Sequence, residues 1–461
     1  MIAFESFEKF IFILILIVIA IFTTYSVIYP GLINGGLETI NIQNGLRIND
    51  GLELYPLSEK FPYNGTVYGP LLPQLLSVVF KLNFDLILSA KLIIILFILL
   101  TLYMIFKNQK FFSFELLLLL TIFYSYFISI RPDMLILFCV TYVLLGSRNK
   151  IFALLLPFTI SALVLLKAYS VFFAIYALVI KQNRIKGIIL QLSICLFIIS
   201  LFFKVTNHSI IGWIETNLAA LRHGYNYENM FAGLLIFLIL IILSFASNFQ
   251  LRKFLQDFDK IGLLVVVAAH FLTFAVASKN GAGPSHFIPL ILIDAFVIKK
   301  YSLARNENSL TLFLVIPVVF FLVFSLRSNA NVISSDFGNM HKKLTEIRYL
   351  DNKFPGLFMG QSGSNSNDVY FANFLRQGNN IQLDYSTFAD LNLNGLDDSS
   401  FANKLENCYF DRVIVPNGGS PFSLISPYTG NSLFPVARII FTERYSLITK
   451  GLYFDVHECK L

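Results

Sequence analysis

Apolar runs cover residues 10–29, 85–106, 112–130, 133–146, 151–166, 168–180, 186–203, 230–247, 261–278, 284–298 and 309–326, and alternate breaks between them carry Lys and Arg. Runs of this kind are too many and too long for one water-soluble core. Only 14% of the 461 residues are charged and 56% are hydrophobic, whereas a soluble domain carries about 25% charged residues. Lipid is therefore the solvent for most of the chain. Every backbone group in that solvent must be bonded within its own segment, so the expected fold is an α-helical polytopic membrane protein. The first run, 10–29, is followed by no Ala-x-Ala-type site and reads as a retained helix rather than a cleaved signal peptide.

The basic residues fix a register. Lys9, Lys107/Lys110, Arg148/Lys150, Lys181/Arg184/Lys186, Arg252/Lys253/Lys260 and Lys299/Lys300/Arg305 fall on one side of the runs. By the positive-inside rule that side is cytoplasmic. The same placement, in loops and without interleaved aromatics, gives the net charge of +7 a topological meaning and argues against a nucleic-acid partner. About eleven transmembrane helices then put the N-terminus inside and the C-terminus outside. The outer side receives a long first loop, 30–84, the turns at Arg131 and Lys167, segments 204–229 and 279–283, and everything after about Leu326. Several runs are shorter than a bilayer crossing, as helices beside a water-filled cavity are. Gly69–Leu82 is apolar but short and holds Pro70 and Pro73, so it reads as a helix in or near the interface. Within the first loop, Glu38–Leu46 suits a short amphipathic helix ending near Gly45 or Gly51.

Composition changes at about residue 327. Residues 1–326 read as the transmembrane domain. Residues 327–461, rich in Asn, Ser, Asp and Gly, read as a small extracytoplasmic α/β domain. Its expected helices are His341–Leu350, Asp368–Arg376 and Ser399–Asn407, and its short apolar runs are Gly356–Met359, Val413–Val415 and Ala437–Phe441. Cys139 and Cys195 lie in apolar runs and read as small hydrophobes. Cys408 and Cys459 lie in the tail, where an oxidising compartment permits a disulfide between them.

Five places on the outer side carry chemistry-capable groups at membrane depth, where an ionisable side chain is costly and needs a reason. Glu38 is the first acid after the first run; it is either a general base for an attacking hydroxyl or a solvated loop carboxylate. Tyr55, Tyr63 and Tyr68 stand among prolines, suiting either a sugar or headgroup or an interfacial aromatic belt. In Arg131-Pro132-Asp133, Pro132 and Asp133 fit a helix start, leaving Arg131 either to a phosphate or to Asp133 itself. Lys167, at a sharp turn, either meets an anion or snorkels to the interface. The turn SKNGAGPSHFIP holds Lys279 and His286 around glycines that let a backbone approach an anion, or is an ordinary tight turn. His208 and His223 are scattered and show no metal-ligand spacing. Four cationic or donor sites beside a carboxylate are what a phosphate-bearing lipid donor needs.

Together these segments resemble the GT-C membrane glycosyltransferases, nearest to bacterial relatives of the dolichyl-phosphate-mannose protein mannosyltransferases and the lipid A aminoarabinose transferases. An acid follows the first span (Glu38). Gly51-Leu52-Glu53-Leu54-Tyr55 is similar to the family's Gly-x-x-Leu-Tyr, and Tyr68-Gly69-Pro70-Leu71 to its Tyr-x-Pro-Leu. Arg131-Pro132-Asp133 is similar to its Arg-Pro-Asp/Glu, and Lys279-x-Gly-Ala-x-x-Ser-His-Phe to its late turn. The chain departs from the family pattern where Leu37 precedes Glu38 and where Ser285-His286 stand for Asn-Tyr. The resemblance implies inverting transfer of a sugar from a polyprenyl-phosphate donor to a glycan, lipid or protein acceptor outside the bacterial inner membrane. It implies Glu38 near the acceptor and Arg131 and Lys279 facing the donor phosphate. The residues themselves offer Lys167 and His286 as further donor contacts and Tyr55, Tyr68 and Asp133 at the substrate. No cofactor is implied, and a divalent metal stays open. A lipid-linked glycan polymerase or ligase, and a transporter or flippase of lipid-linked sugars, are the competing classes. The first would place its large outer loop late in the chain, and the second would spread charge across both leaflets.

Overall fold

A computed structural model describes mainly residues 36–55, 68–107, 128–182, 185–302, 341–354 and 388–460, apart from a few positions within those ranges, together with 358–359 and scattered positions between 17 and 28. The expected spans 10–29, 112–130 and 309–326, Tyr63 and the expected helix 368–376 lie wholly or almost wholly outside the described residues. The chain divides into two compact units.

The first unit is helical. Three described helices are long and apolar enough to cross a membrane, with spans at Leu86–Ile105, Lys186–Thr206 and Lys260–Ala277. The expected runs 85–106 and 151–166 correspond to helices Leu86–Lys107 and Lys150–Leu166. Lipid-facing character shows on the long helices: Leu196, Phe197, Leu264 and Phe271 are all exposed. The Leu86 helix buries one stripe, Lys91, Ile94, Ile98, Thr101 and Ile105, spaced by three and four residues. A lysine thus sits fully buried in an otherwise apolar helical face.

Three helices at the centre are short. Asp133–Leu145 has 13 residues, Val171–Gln182 has 12 and Ile288–Tyr301 has 14, or about 18–21 Å of rise each. They pack on one another, and their interiors are almost wholly apolar, as in Met134–Leu137 and Leu290–Ile293. Lysines tie their C-terminal ends: Lys181 Nζ donates to the carbonyls of Val143 and Gly146, both at 2.8 Å, and Lys300 Nζ donates to Ile180 O at 3.4 Å. A cation on the last carbonyls satisfies acceptors that the helix leaves open and opposes the negative end of its dipole. These helices therefore run parallel, with their N-termini gathered at the other end.

The second unit joins segments far apart in sequence: residues 29–90, 207–224 and the tail from 332. Helix Gly36–Asn49 ends where Gly51 takes a left-handed φ of +71° and Leu52 N bonds back to Arg47 O. It runs beyond the expected Glu38–Leu46 at both ends. It is not amphipathic in the expected way either, because Glu38, Asn41, Gln43 and Asn44 are buried as fully as Ile40 and Ile42. Helix Leu71–Phe80, within the expected Gly69–Leu82 segment, packs against it, and Gly45 lets the two approach closely. A Cβ at Gly45 would sit 2.9 Å from Phe80 Cε2 and 3.0 Å from Leu76 Cβ. The 207–224 segment is tied on by Ser209 N donating to Glu53 Oε1 at 3.1 Å.

The tail builds a four-stranded mixed sheet in the order β1-β2-β4-β3, with β1 Phe358–Met359, β2 Arg412–Pro416, β3 Tyr445–Lys450 and β4 Phe454–Cys459. β1 lies parallel to β2, and the other pairs are antiparallel. One face is covered by helices Ser399–Glu406 and Pro435–Arg444, through Phe401 and Phe441, with Phe388, Phe422 and Phe434 from the segments around them. The other holds Ile347 and Leu350 of helix 341–353 against Ile414 and Phe454. Ala437–Phe441, apolar in sequence, lies in the Pro435 helix, whose Ala437 N–H is accepted by Asp398 Oδ2 at 2.8 Å. Burial pushes the Asp398 carboxyl above its ordinary value, while the helix N-terminus favours its ionised form. Cys408 and Cys459 form a disulfide with Cα atoms 5.7 Å apart, closing a loop across 51 positions. A loop of that length is worth about 4 kcal/mol in the chain-entropy account.

Candidate anion site at three helix N-termini

The gathered N-termini of the short helices hold a charge cluster. Pro132 occupies the N-cap of the Asp133 helix, so Asp133 stands at its first position with Arg131 immediately outside. Lys167 is extended (φ −152°) and leads into the 3-10 turn Ala168–Ser170, which feeds the Val171 helix. His286 lies in the 3-10 turn Pro284–Phe287, which feeds the Ile288 helix. Three sequence positions more than thirty residues apart are thus brought to one place by three parallel helices.

Asp133 is the hub. Its Oδ1 accepts from Lys167 Nζ at 2.8 Å, and its Oδ2 lies 3.0 Å from Arg131 Nε. Arg131, Asp133 and Lys167 are 5%, 6% and 3% exposed, so this is a buried charge triplet. These three side chains together carry a charge of +1, at the end where three helix dipoles are positive. Lys167 therefore neither snorkels nor stands apart, because Asp133 compensates it. Tyr169 lies between two of these groups: Lys167 Nζ is 5.9 Å from its ring centroid, and His286 stacks on it at 5.2 Å with an interplanar angle of 25°. Sequence reasoning missed Tyr169, although its place two residues after Lys167 was visible.

The late turn is braced from a neighbouring helix. Asn229 Nδ2 donates to Lys279 O at 2.9 Å, Asn226 N donates to Ser278 O at 2.8 Å, and Tyr225 pairs with Lys279 as an isolated bridge. Gly283 takes φ +105°, open to glycine and strained for other residues, and its carbonyl lies 3.2 Å from His286 Nδ1. Lys279 is half-buried, and burial lowers its pKa below the ordinary lysine value. The turn and His286 belong together structurally, and the close contacts with Asp133 come from Arg131 and Lys167.

A second polar group lies deeper in the same unit, on residues the sequence reading passed over. Tyr176 Oη donates to Asp294 Oδ1 at 2.8 Å, and His270 Nε2 lies 3.0 Å from Asp294 Oδ2. His270 Nδ1 lies 2.7 Å from the carbonyl of Val266, which can only accept. Single ionisable residues inside apolar runs were the available signal for both.

In the second unit Glu38 is fully buried, which rules out a solvated loop carboxylate. The Tyr55 hydroxyl donates to Tyr68 O at 2.9 Å, and the backbone of Gly212 rests on Tyr55 so closely that a Cβ would meet Tyr55 O at 2.6 Å. Tyr55 and Tyr68 thereby clamp the two ends of the 55–68 segment. His208 packs edge-on to Tyr55, with ring centroids 6.5 Å apart, and burial lowers its pKa. His223 stacks on Tyr428 of the tail at 4.3 Å. Among the described residues no group of three or more His, Cys, Asp or Glu is placed to hold a metal ion.

No family model matches the sequence, and no curated protein does. Two solved structures share the fold. ArnT from Cupriavidus metallidurans bound to undecaprenyl phosphate superposes with a TM-score of 0.56 at 12% identity, over 96% of this chain and 97% of that one. The same protein in the apo state gives 0.54 at 11% identity, over 97% and 98%. Coverage of both chains from end to end makes this a likeness of whole architectures. The resemblance to the GT-C membrane glycosyltransferases, read from short motifs, thus extends to the entire fold of this multi-pass membrane protein.

Proposed function

We propose that this protein is an inverting membrane glycosyltransferase. It moves a sugar from a polyprenyl-phosphate carrier to an acceptor at the outer face of the bacterial inner membrane. The observation that carries this is the buried Arg131–Asp133–Lys167 triplet with the half-buried His286, at three converging helix N-termini. A net positive, water-poor site of that kind stabilises a phosphate on which charge develops as the glycosidic bond breaks. A protein of the same fold binds undecaprenyl phosphate. In this reading Arg131, Lys167 and His286 face the donor phosphate with Lys279 at the rim, and Glu38 takes the proton of the acceptor hydroxyl. Tyr55 and Tyr68 then shape the outer loop around the substrate through their backbone clamp.

The about eleven spans and the orientation belong to the same proposal. His223 stacked on Tyr428, and Glu53 bonded to Ser209, support placing the first loop, the 207–224 segment and the tail on one side. In a chain whose native cysteines are otherwise retained, single cysteines at exposed Asp50 and Asn431 should react with an impermeant maleimide in intact cells. A cysteine at exposed Lys253 should react only after permeabilisation. Labelling of position 253 from outside would overturn the orientation.

The binding test uses the full chain in nanodiscs. Wild type should retain undecaprenyl phosphate over undecaprenol, and Arg131→Ala should weaken that binding by about 1.5–3 kcal/mol, the scale of a hydrogen bond to a charged group. Equal affinity of wild type for the phosphate and the alcohol would sink the reading.

A further inference from the structure

Tyr176, Asp294 and His270 stand on three different helices and meet in an apolar interior. The Tyr176 hydroxyl donates to Asp294 Oδ1 at 2.8 Å, and His270 Nε2 lies 3.0 Å from Oδ2, so each carboxylate oxygen is held from a different helix. Asp294 and Tyr176 are buried, as are Ala174, Ala177, Ile291 and Ile293 beside them in the chain. A carboxylate in such surroundings is costly and calls for a use. The same three helices carry arms of the candidate anion site. Helix Val171–Gln182 follows directly on Lys167 and Tyr169, and helix Ile288–Tyr301 follows on His286. Helix Lys260–Ala277 runs the other way and ends at the turn that holds Lys279. Tyr176 lies about 7.5 Å past the start of the first, Asp294 about 9 Å past the start of the second, and His270 about 10.5 Å before the end of the third. The three side chains thus form one node, somewhat under two helical turns inside the site. Nearer the site, His286 stacks on Tyr169 at 5.2 Å, and Phe274 meets Phe287 with ring centroids 6.5 Å apart. The Ile288 helix is therefore fixed to each neighbour at two heights, which sets its rotation as well as its spacing.

We propose that Tyr176, Asp294 and His270 are positioning residues of the donor site, a hydrogen-bonded node that keeps Tyr169, His286 and Lys279 in register to receive the carrier phosphate. The proposal rests on the glycosyltransferase reading. The node touches no substrate and works through the groups at the ends of its helices. Apolar contacts alone let helices slide, whereas a hydrogen bond between them holds a length and a direction. A slip of one residue moves a helix about 1.5 Å, and a misplacement of about 1 Å can cost a reacting site about 10²-fold. What Asp294 contributes here is two polar atoms on one planar group, each aimed at a different helix. An asparagine can do the same. Its oxygen accepts from Tyr176 and its amide donates to His270 Nε2, while Nδ1 donates to the Val266 carbonyl 2.7 Å away. A leucine can make neither bond.

The test uses full chains in nanodiscs, with undecaprenyl phosphate and undecaprenol as probes. Asp294→Leu should lose about tenfold in affinity for undecaprenyl phosphate, the scale of one charge-assisted bond lost at the phosphate, and nothing for undecaprenol. Asp294→Asn should keep most of the phosphate affinity. Tyr176→Phe removes a single hydroxyl and should weaken phosphate binding about threefold in an otherwise wild-type chain. In a His286→Ala background the same change should lose most of its effect, because it acts through that ring. Fully additive losses, or wild-type phosphate affinity in Asp294→Leu and Tyr176→Phe, would overturn this inference alone and leave the node to folding. Asp294→Asn binding as weakly as Asp294→Leu would overturn it too, since charge rather than hydrogen bonding would then be at work. If Asp294→Leu fails to reconstitute, the Tyr176→Phe and His286→Ala pair decides between the same two outcomes. No phosphate preference in wild type would remove the functional reading and this inference with it.

Discussion

Glu38→Gln is expected to lower turnover by about 10²- to 10⁴-fold, the usual worth of a positioned general base, while donor affinity stays near that of wild type. The substitution keeps the size and most hydrogen-bonding capacity of a fully buried side chain, and it removes the ability to accept a proton. A carboxylate is costly to bury, so a helix that places one at zero exposure beside Asn41 and Asn44 has a use for it. The measurement is a transfer assay under saturating donor, with donor binding followed separately. Near-normal turnover in Glu38→Gln would reduce the residue to a structural member of the Gly36–Asn49 helix. Loss of donor binding together with turnover would move it to the donor side of the site.

Asp133→Ala should be the most damaging single change to the transmembrane unit. It leaves two buried cations, Arg131 and Lys167, without the carboxylate that lies 3.0 and 2.8 Å from them. Removing one member of a buried ion cluster costs about 3–5 kcal/mol, because the remaining charge stays desolvated. The midpoint of thermal or denaturant unfolding in lipid nanodiscs reads this directly. Adding Lys167→Met to Asp133→Leu should recover part of the loss, since one of the two cations is then removed while Arg131 still lacks its carboxylate. A wild-type midpoint for Asp133→Ala would mean that water, not Asp133, compensates the cations.

The helices were legible because apolar runs bounded by charge leave little choice of structure in lipid. The Leu86 and Lys150 helices begin and end within a residue or two of the runs at 85–106 and 151–166. The Asp133 cluster was legible as separate residues and illegible as a cluster. Asp133 and Lys167 are 34 positions apart, and only packing of the short helices brings them into contact. Lys91, His270 and Asp294 escaped for a different reason, since one ionisable residue barely alters the hydropathy of a long apolar run. The Gly36–Asn49 helix was placed correctly near Glu38 but given the wrong environment, because polar residues at helical spacing look solvated until something is known of what packs on them. In the tail, the apolar run Val413–Val415 lies in β2, yet its neighbours β1 and β4 come from positions 358–359 and 454–459. Pairing over such distances leaves no local trace.

The three short helices have a consequence for the lipid rather than for the sugar. A hydrocarbon layer is about 30 Å thick, and helices of 12–14 residues reach about two thirds of that way. In the proposed orientation, with their C-terminal ends at the inner boundary, their charged ends would lie about 10 Å beneath the outer boundary of the hydrocarbon. A carrier approaching from the side meets these charges while its isoprenoid chain is still among acyl chains. Drawing that chain into water would cost about 0.8 kcal/mol for every methylene, a barrier no enzyme turns over against. Under the proposed function, charges sunk to the carrier's own depth would let the headgroup change surroundings while the tail changes none.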